Sequence, residues 1–305
     1  MPHWQGSIPE STSIQELVEY FKHFFDIQLL KHITEQTNLY CVQKNLAKPF
    51  QLTVSELYQY IGTAFYMALV SVPCTQLCWS PSFSVPCLSG VMSRERWEDI
   101  KSNLHFNDTT KVPDVGANKD TLFKLRPLIN SLLKKFNNLP IDRMLCVDEQ
   151  MVPFKGMSSF IQYMPNKPHK CGYKLYIVCV WKGIVYISEV YCGKHYPLPE
   201  CKDLGANANV ILYLCKVIPR QQNHLLYFDN WFTTIPLLLK LAHMKIFWLW
   251  TVRANRFPSR VVATDKDLGK KRKGELLMTV CEALNIVVIS TCTRSESFQS
   301  ILGIF

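Results

Sequence analysis

The chain has no apolar run long enough to cross a bilayer. Its first residues, MPHWQGSIPESTS, lack the basic-then-apolar order of a secretory signal. An intracellular protein without a membrane span is therefore expected. Internal repeats and low-complexity tracts are missing too, which sets aside solenoids and disordered polymers. Negative charge is scarce: 24 Asp and Glu face 34 Lys and Arg in 305 residues, a formal net charge of +10. A surplus of that sign suits a polyanionic partner, nucleic acid or an anionic membrane face, although a merely soluble basic protein has the same count. Paired zinc-ligand couples are also lacking. Cys192, His195 and Cys201 make three ligands without a fourth, and Cys74 and Cys78 have no second couple. In an intracellular chain the 12 cysteines read as reduced thiols, with Cys146, Cys179 and Cys215 on apolar segments.

What is present is enough to bury a core, since 48% of residues are hydrophobic and 19% charged. The first 140 residues read as helical. Ser13 with Glu16 has capping-box spacing before Ile14, Leu17, Val18, Phe21, Phe24 and Phe25. Thr53 with Glu56 repeats it before Leu57, Ile61, Phe65 and Leu69, and Ser93 precedes Trp97, Ile100 and Leu104. A polar connector from Asn107 to Asp120 leads to a fourth pattern, Leu122, Leu125, Ile129, Leu132 and Phe136. From about Arg143 the pattern changes to short β-branched and aromatic runs: 144–154, 174–180 and 185–191. A helical stretch near 209–217, a strand at 224–228, a helix at 234–244 and a strand at 246–252 follow. Three strands followed by helix, strand, helix and strand predict a mixed sheet flanked by helices.

Two of the apolar runs end in an acid. Met144, Leu145, Cys146 and Val147 lead to Asp148; Leu225, Leu226, Tyr227 and Phe228 lead to Asp229. An unpaired buried charge is costly, so a repeated arrangement of this kind points to a shared purpose. If the first and fourth strands are neighbours, the carboxylates meet, and two adjacent carboxylates share a proton or bind a cation. With a polyanionic substrate the cation is favoured, and hard oxygen donors suit Mg²⁺ in phosphoryl transfer. Alternation then turns Glu149 to the opposite face. An Asp that ends a strand also caps turns, although Thr234 already offers a cap for the helix after Asp229.

Between Gln150 and Ser188 there is no acid but five lysines, Lys155, Lys167, Lys170, Lys174 and Lys182. Phe154, Phe160, Tyr163, Tyr173 and Tyr176 are interleaved with them. Lysines hold phosphates and aromatics stack on unpaired bases. For the aromatics alone, the buried face of a ribbon explains them better. Arg253, Arg256 and Arg260 continue the basic surface. Lys270, Lys271, Arg272 and Lys273 in GKKRKG resemble a nuclear localisation cluster, as any exposed basic loop does.

Four stretches resemble the piggyBac family of DNA transposases and the cellular proteins derived from them. They are MSRERWEDIKSNLHFND, VDEQMVPFKGMSSFIQYMPNKPHKCGYKLYIV, YFDNWFTTIPLLLKL and TVRANRF, long and collinear. The resemblance is traced from about Ile14 to about Gly274 and is lost after NIVVIS; the ending TCTRSESFQSILGIF looks unrelated. It implies a ribonuclease-H-like core with three acidic metal ligands, and cut-and-paste transposition through hairpin intermediates into TTAA sites. The first two family acids match Asp148 and Asp229, which become the catalytic and metal positions, while no residue here matches the third.

Asp265 and Asp267 fall in a stretch like the family's connector. Glu282, in a helix-like pattern with Leu276, Leu277, Val280 and Leu284, is the one stand-in considered, and packing explains that face equally. The catalytic helix and the cysteine-rich zinc module of the family are expected to be missing. The fold expected is α/β, with a helical N-terminal region (1–140), a partial, incomplete ribonuclease-H-like core (141–262), and a basic connector with a divergent tail (263–305). The function expected is that of a nuclear DNA-binding protein of transposase ancestry. Its catalysis would be lost with the third acid, and its ancestral Mg²⁺ weakly held or lost. Expected partners are DNA, through its phosphate backbone and by resemblance TTAA-containing ends, and a second copy of the chain; a membrane and a small-molecule substrate are not expected. An active transposase with a substitute acid and a non-catalytic protein-interaction module are the alternatives, and a two-carboxylate glycosidase is disfavoured by the positive charge.

Overall fold

The computed structural model describes the chain apart from residues 1–2, 10–12, 45–49, 71, 73, 82, 84, 113–119, 194–200, 252–275, 282–285, 293–296 and 304–305. It divides into two compact units, one of residues 13–135 and one of residues 1–12 with 136–305.

The first unit is helical among the described residues. Helix α1 spans Leu17–Phe24, α2 Ile27–Lys44, α3 Val54–Leu69, α4 Pro86–Ser89, α5 Arg94–Asn103 and α6 Arg126–Phe136. Two of the sequence caps form as expected. Thr53 and Glu56 make a full capping box on α3, and Ser93 Oγ accepts the Arg96 N–H at α5. The Ser13 box does not form: α1 begins at Leu17, with Glu16 at its N-cap and no side-chain cap bond. Helix α2 has no counterpart in the sequence reading. Its buried face mixes Leu29, Leu30 and Ile33 with Thr34 and Thr37, so its apolar stripe is faint, and the Asp26 carboxylate that caps it accepts the Leu29 N–H at 2.9 Å. Leu29, Leu30, Ile33, Leu52, Leu57, Met92, Trp97 and Ile100 form the core of this unit.

The second unit is built on one sheet. Its strands are β1 (Met144–Pro153), β2 (Gln162–Tyr163), β3 (Cys171–Cys179), β4 (Val185–Val190), β5 (His224–Phe228), β6 (Ile246–Thr251), β7 (Leu276–Cys281), β8 (Ile286–Cys292) and β9 (Ser297–Gly303). The order is β2-β3-β1-β5-β6-β9-β8-β7, with β4 also on β3. The pairs β1–β3 and β3–β4 are antiparallel, whereas β1–β5 and β5–β6 are parallel. The parallel pairs need crossovers. Helix α7 (Ala206–Leu214) lies against β3 and β4, and α8 (Ile235–His243) lies against β6. Thr234 caps α8 through the Leu237 N–H, and Pro236 sits in its first turn, where a missing N–H costs nothing.

Two parts of the C-terminal region correct the sequence expectation. Leu276–Cys281 is a strand paired with β8, not a helix, because its β-branched neighbours pair residue for residue. Residues Ser297–Gly303, read as unrelated tail, join the sheet between β8 and β6. Glu282 lies outside the described residues.

Candidate functional site

Strand β1 alternates. Leu145 and Val147 are buried, Cys146 is half-buried and Asp148 is exposed. Strand β5 buries Leu226 and Phe228 on the same face, since the parallel register sets Leu145 opposite Leu226 and Val147 opposite Phe228. The register ends there, one residue before Asp148 and one before Asp229. Burial of Val147 and Phe228 thus places the next residue of each strand at the C-terminal edge of the parallel pair, the usual place for chemistry in open α/β sheets. Backbone N–H of Phe232 donates to the Asp229 carbonyl and starts a short 3-10 turn (Asn230–Phe232), so the chain turns away directly after the acid.

The Asp148 side chain is 62% exposed, its Oδ1 accepts the Glu149 N–H at 2.8 Å, and Lys167 Nζ stands 3.9 Å from the same oxygen. Lys167 Nζ also donates to the Glu149 carbonyl at 3.4 Å, which anchors the β2–β3 turn over β1. Glu149 turns to the opposite face, as alternation requires. There its carboxylate lies 4.0 Å from Lys174 Nζ, both side chains about one-tenth exposed. Burial pushes the Glu149 carboxyl above its ordinary range and the Lys174 ammonium below its own, while their mutual attraction opposes both shifts. Lys174 Nζ also sits 4.7 Å from the centre of the Tyr176 ring, whose hydroxyl burial pushes up to about 12.

Lys155 and Lys170 are exposed on the ribbon beyond the acids, and Lys182 is exposed at the β3–β4 turn. Lys174 does not stand with them. It is 8% exposed and faces Glu149, so its ammonium is spent inside the fold rather than offered to a phosphate. Phe154 and Phe160 each pack on Tyr173 with ring centres 5.0 Å apart, and Tyr163 is exposed. Gly172 lets this ribbon close: a Cβ there would meet the Val152 carbonyl oxygen of β1. Arg253, Arg256, Arg260 and the cluster Lys270, Lys271, Arg272, Lys273 lie outside the described residues, as does His195. Among the described residues no group of three or more His, Cys, Asp and Glu comes together as a metal cage. Asp148 and Asp229 each carry hard oxygen donors of the kind a divalent ion takes.

A strand order of β4-β3-β1-β5-β6 with helices packed on it is that of a ribonuclease-H-like protein of the DDE transposase class. Residues 17–302 match the model of the family described as Transposase IS4, and the chain belongs to it, among the piggyBac transposases and their derivatives. The match runs past residue 274, beyond the stretches that carry the sequence resemblance, and so takes in the strands at the C-terminal side. The chain is 30% identical over 269 residues to PiggyBac transposable element-derived protein 3 of Homo sapiens, covering 86% of this chain and 44% of that protein. It is 26% identical over 294 residues to PiggyBac transposable element-derived protein 2 of Homo sapiens, covering 93% and 48%. The chain thus spans less than half the length of these curated relatives. A piggyBac transposase solved by cryo-EM in a synaptic complex with hairpin DNA superposes with a TM-score of 0.81 at 22% identity, over 95% of this chain and 61% of that one. DDE transposases as a family use a divalent metal.

Proposed function

We propose that this chain is a transposase-derived DNA-binding protein that retains a two-carboxylate remnant of a metal site and does not by itself carry out strand transfer. The observation that carries this reading is the β1–β5 register, whose last pair, Val147 opposite Phe228, comes one residue before each acid. Asp148 and Asp229 would hold the cation, and Mg²⁺ fits their hard oxygens, though two carboxylates leave it leaning on water or substrate phosphate. When bound, such an ion activates water and stabilises the leaving oxygen in phosphoryl transfer. Lys155 and Lys170, exposed on the ribbon, would take phosphates of a passing duplex, while Lys167 would stand as the counter-charge of Asp148. Lys174 is left out because it is buried. Arg253 and Arg256 would extend the same surface. TTAA-containing ends, a second copy of the chain and a nuclear location set by Lys270–Lys273 belong to this reading through the family.

The deciding experiment is duplex DNA binding as a function of salt. Each phosphate neutralised releases condensed counterions, so log affinity should fall linearly with log salt. Lys155→Ala with Lys170→Ala should reduce the slope by about 0.9 per lost contact. Binding that ignores salt, or none at low salt, would leave a protein-interaction module as the better reading.

A further inference from the structure

Cys146 of β1 and Cys179 of β3 stand directly opposite each other in the antiparallel ladder. Facing residues in such a ladder have Cβ atoms about 4.5–5.5 Å apart, and a disulfide needs about 3.5–4.5 Å. A small local movement separates those ranges. The structure has a place for it, because the β3–β4 register shifts between Val178 and Cys179. Such an irregularity loosens the ladder around the residue that would have to move. Both thiols are half-buried and free, so they are held in place yet open to a small reagent. Neither cysteine has a role in the DNA and metal reading above.

We infer that Cys146 and Cys179 form a dithiol modification site that closes reversibly into an intrachain disulfide by exchange with low-molecular-weight disulfides such as oxidised glutathione. In the first step, Cys179 Sγ gives up its proton and attacks one glutathione sulfur. The S–S bond of oxidised glutathione breaks, and one glutathione thiolate leaves and takes the proton. In the second, Cys146 Sγ, likewise deprotonated, attacks Cys179 Sγ. A Cys146–Cys179 bond forms, and the second glutathione leaves as its thiol. The two protein thiols are oxidised by two electrons, and the glutathione disulfide is reduced to two thiols. A bridge at less than ideal Cβ spacing is more easily reduced, which places this one with labile disulfides rather than permanent staples. When closed it would tie β1 to β3 two residues before Asp148 and hold the strand that carries that acid.

Peptide mapping of the full chain tests this. Reduced protein is equilibrated in glutathione buffers of increasing oxidised fraction, alkylated, and digested with trypsin without reduction. Cleavage after Arg143 and Lys155 isolates Cys146, and cleavage after Lys174 and Lys182 isolates Cys179, each as the one cysteine of its peptide. The expected result is a linked pair of these two peptides that separates on adding dithiothreitol. Cys179→Ser should leave the Cys146 peptide without a bridge. The yield of the pair should also drop severalfold when oxidation is run in guanidinium, where 12 cysteines pair without geometry. Two singly alkylated peptides at every poise would overturn the inference. So would glutathione adducts that never close, preferential bridges to other cysteines, or equal yields in native buffer and guanidinium.

Discussion

Lys167 Nζ lies 3.9 Å from Asp148 Oδ1, close enough to act as a built-in cation against that carboxylate. Asp148 is mostly exposed, so the attraction is that of a solvent-screened pair, about 1 kcal/mol at this distance. An added divalent ion has to compete with it. Lys167→Met should therefore tighten Mn²⁺ binding by about fivefold, that energy expressed as an affinity. Titration calorimetry or a metal-dependent shift in melting would measure it. Weaker binding in the variant would show that Lys167 organises the acids rather than opposing the ion.

Asp148 and Asp229 can also be separated from structural caps by melting. Thr234 caps α8, so Asp229 is not needed there. Asp148→Asn and Asp229→Asn should leave stability in EDTA unchanged or slightly raised, because like charges in register are relieved. The loss of a working cap would instead cost about 1 kcal/mol. Stabilisation by millimolar Mn²⁺ should appear in the parent and vanish in both variants; a clear drop for Asp229→Asn in EDTA would sink the metal-remnant reading.

Glu149 and Lys174 make a different kind of pair, closed off from water and set across β1 and β3. Lys174→Met alone leaves a buried carboxylate without its counter-charge and should cost about 3–5 kcal/mol. Adding Glu149→Leu should restore much of that loss, since hydrophobic replacement of a buried ion pair is often neutral. Urea denaturation of both variants measures the difference, and equal stability of the single and double variants would contradict a coupled buried pair.

His224 should make the second unit sensitive to acid. Its side chain is fully buried, Nδ1 is 2.9 Å from the Asp142 carbonyl, Nε2 has no partner among the described residues, and the Trp4 ring packs edge-to-face with ring centres 5.9 Å apart. Burial lowers its pKa below the ordinary 6.5. The unfolded chain then takes up the proton first as pH falls, so the contribution is complete above about 6.5 and is lost below it. The slope from one proton is at most about 1.4 kcal/mol per pH unit. Melting from pH 7.5 down to pH 5 should show this fall, and His224→Gln should flatten it.

Much of the fold was legible because it rests on local signals. The Thr53–Glu56 box and the Ser93 cap form where their spacing put them. Strand His224–Phe228 lies where the apolar run ends in an acid. Helix α2 was missed because threonines share its buried face, and the Ser13 box failed because nothing in spacing alone shows that a helix starts one turn later. Lys174 carried a signal that charge counting passed over: it shares parity with Tyr176 and Val178, both buried, so period-two alternation already assigned it to the inner face.

The sequence by itself determined the class of the protein. Alternation, caps and long collinear words need only neighbours along the chain, and they were sufficient for a helical region, a mixed sheet and two acids that follow apolar runs. Tertiary structure alone decided which residues meet across strands. The pairing of β1 with β5 in parallel sets Val147 opposite Phe228, the residues just before Asp148 and Asp229, and its antiparallel pairing with β3 puts Cys146 opposite Cys179. Approach of the β2–β3 turn brings Lys167 to Asp148. Register is set by how the buried faces of Val147, Phe228 and Val178 fill one core, and a slip of one residue would turn every one of these groups to the other side of the sheet.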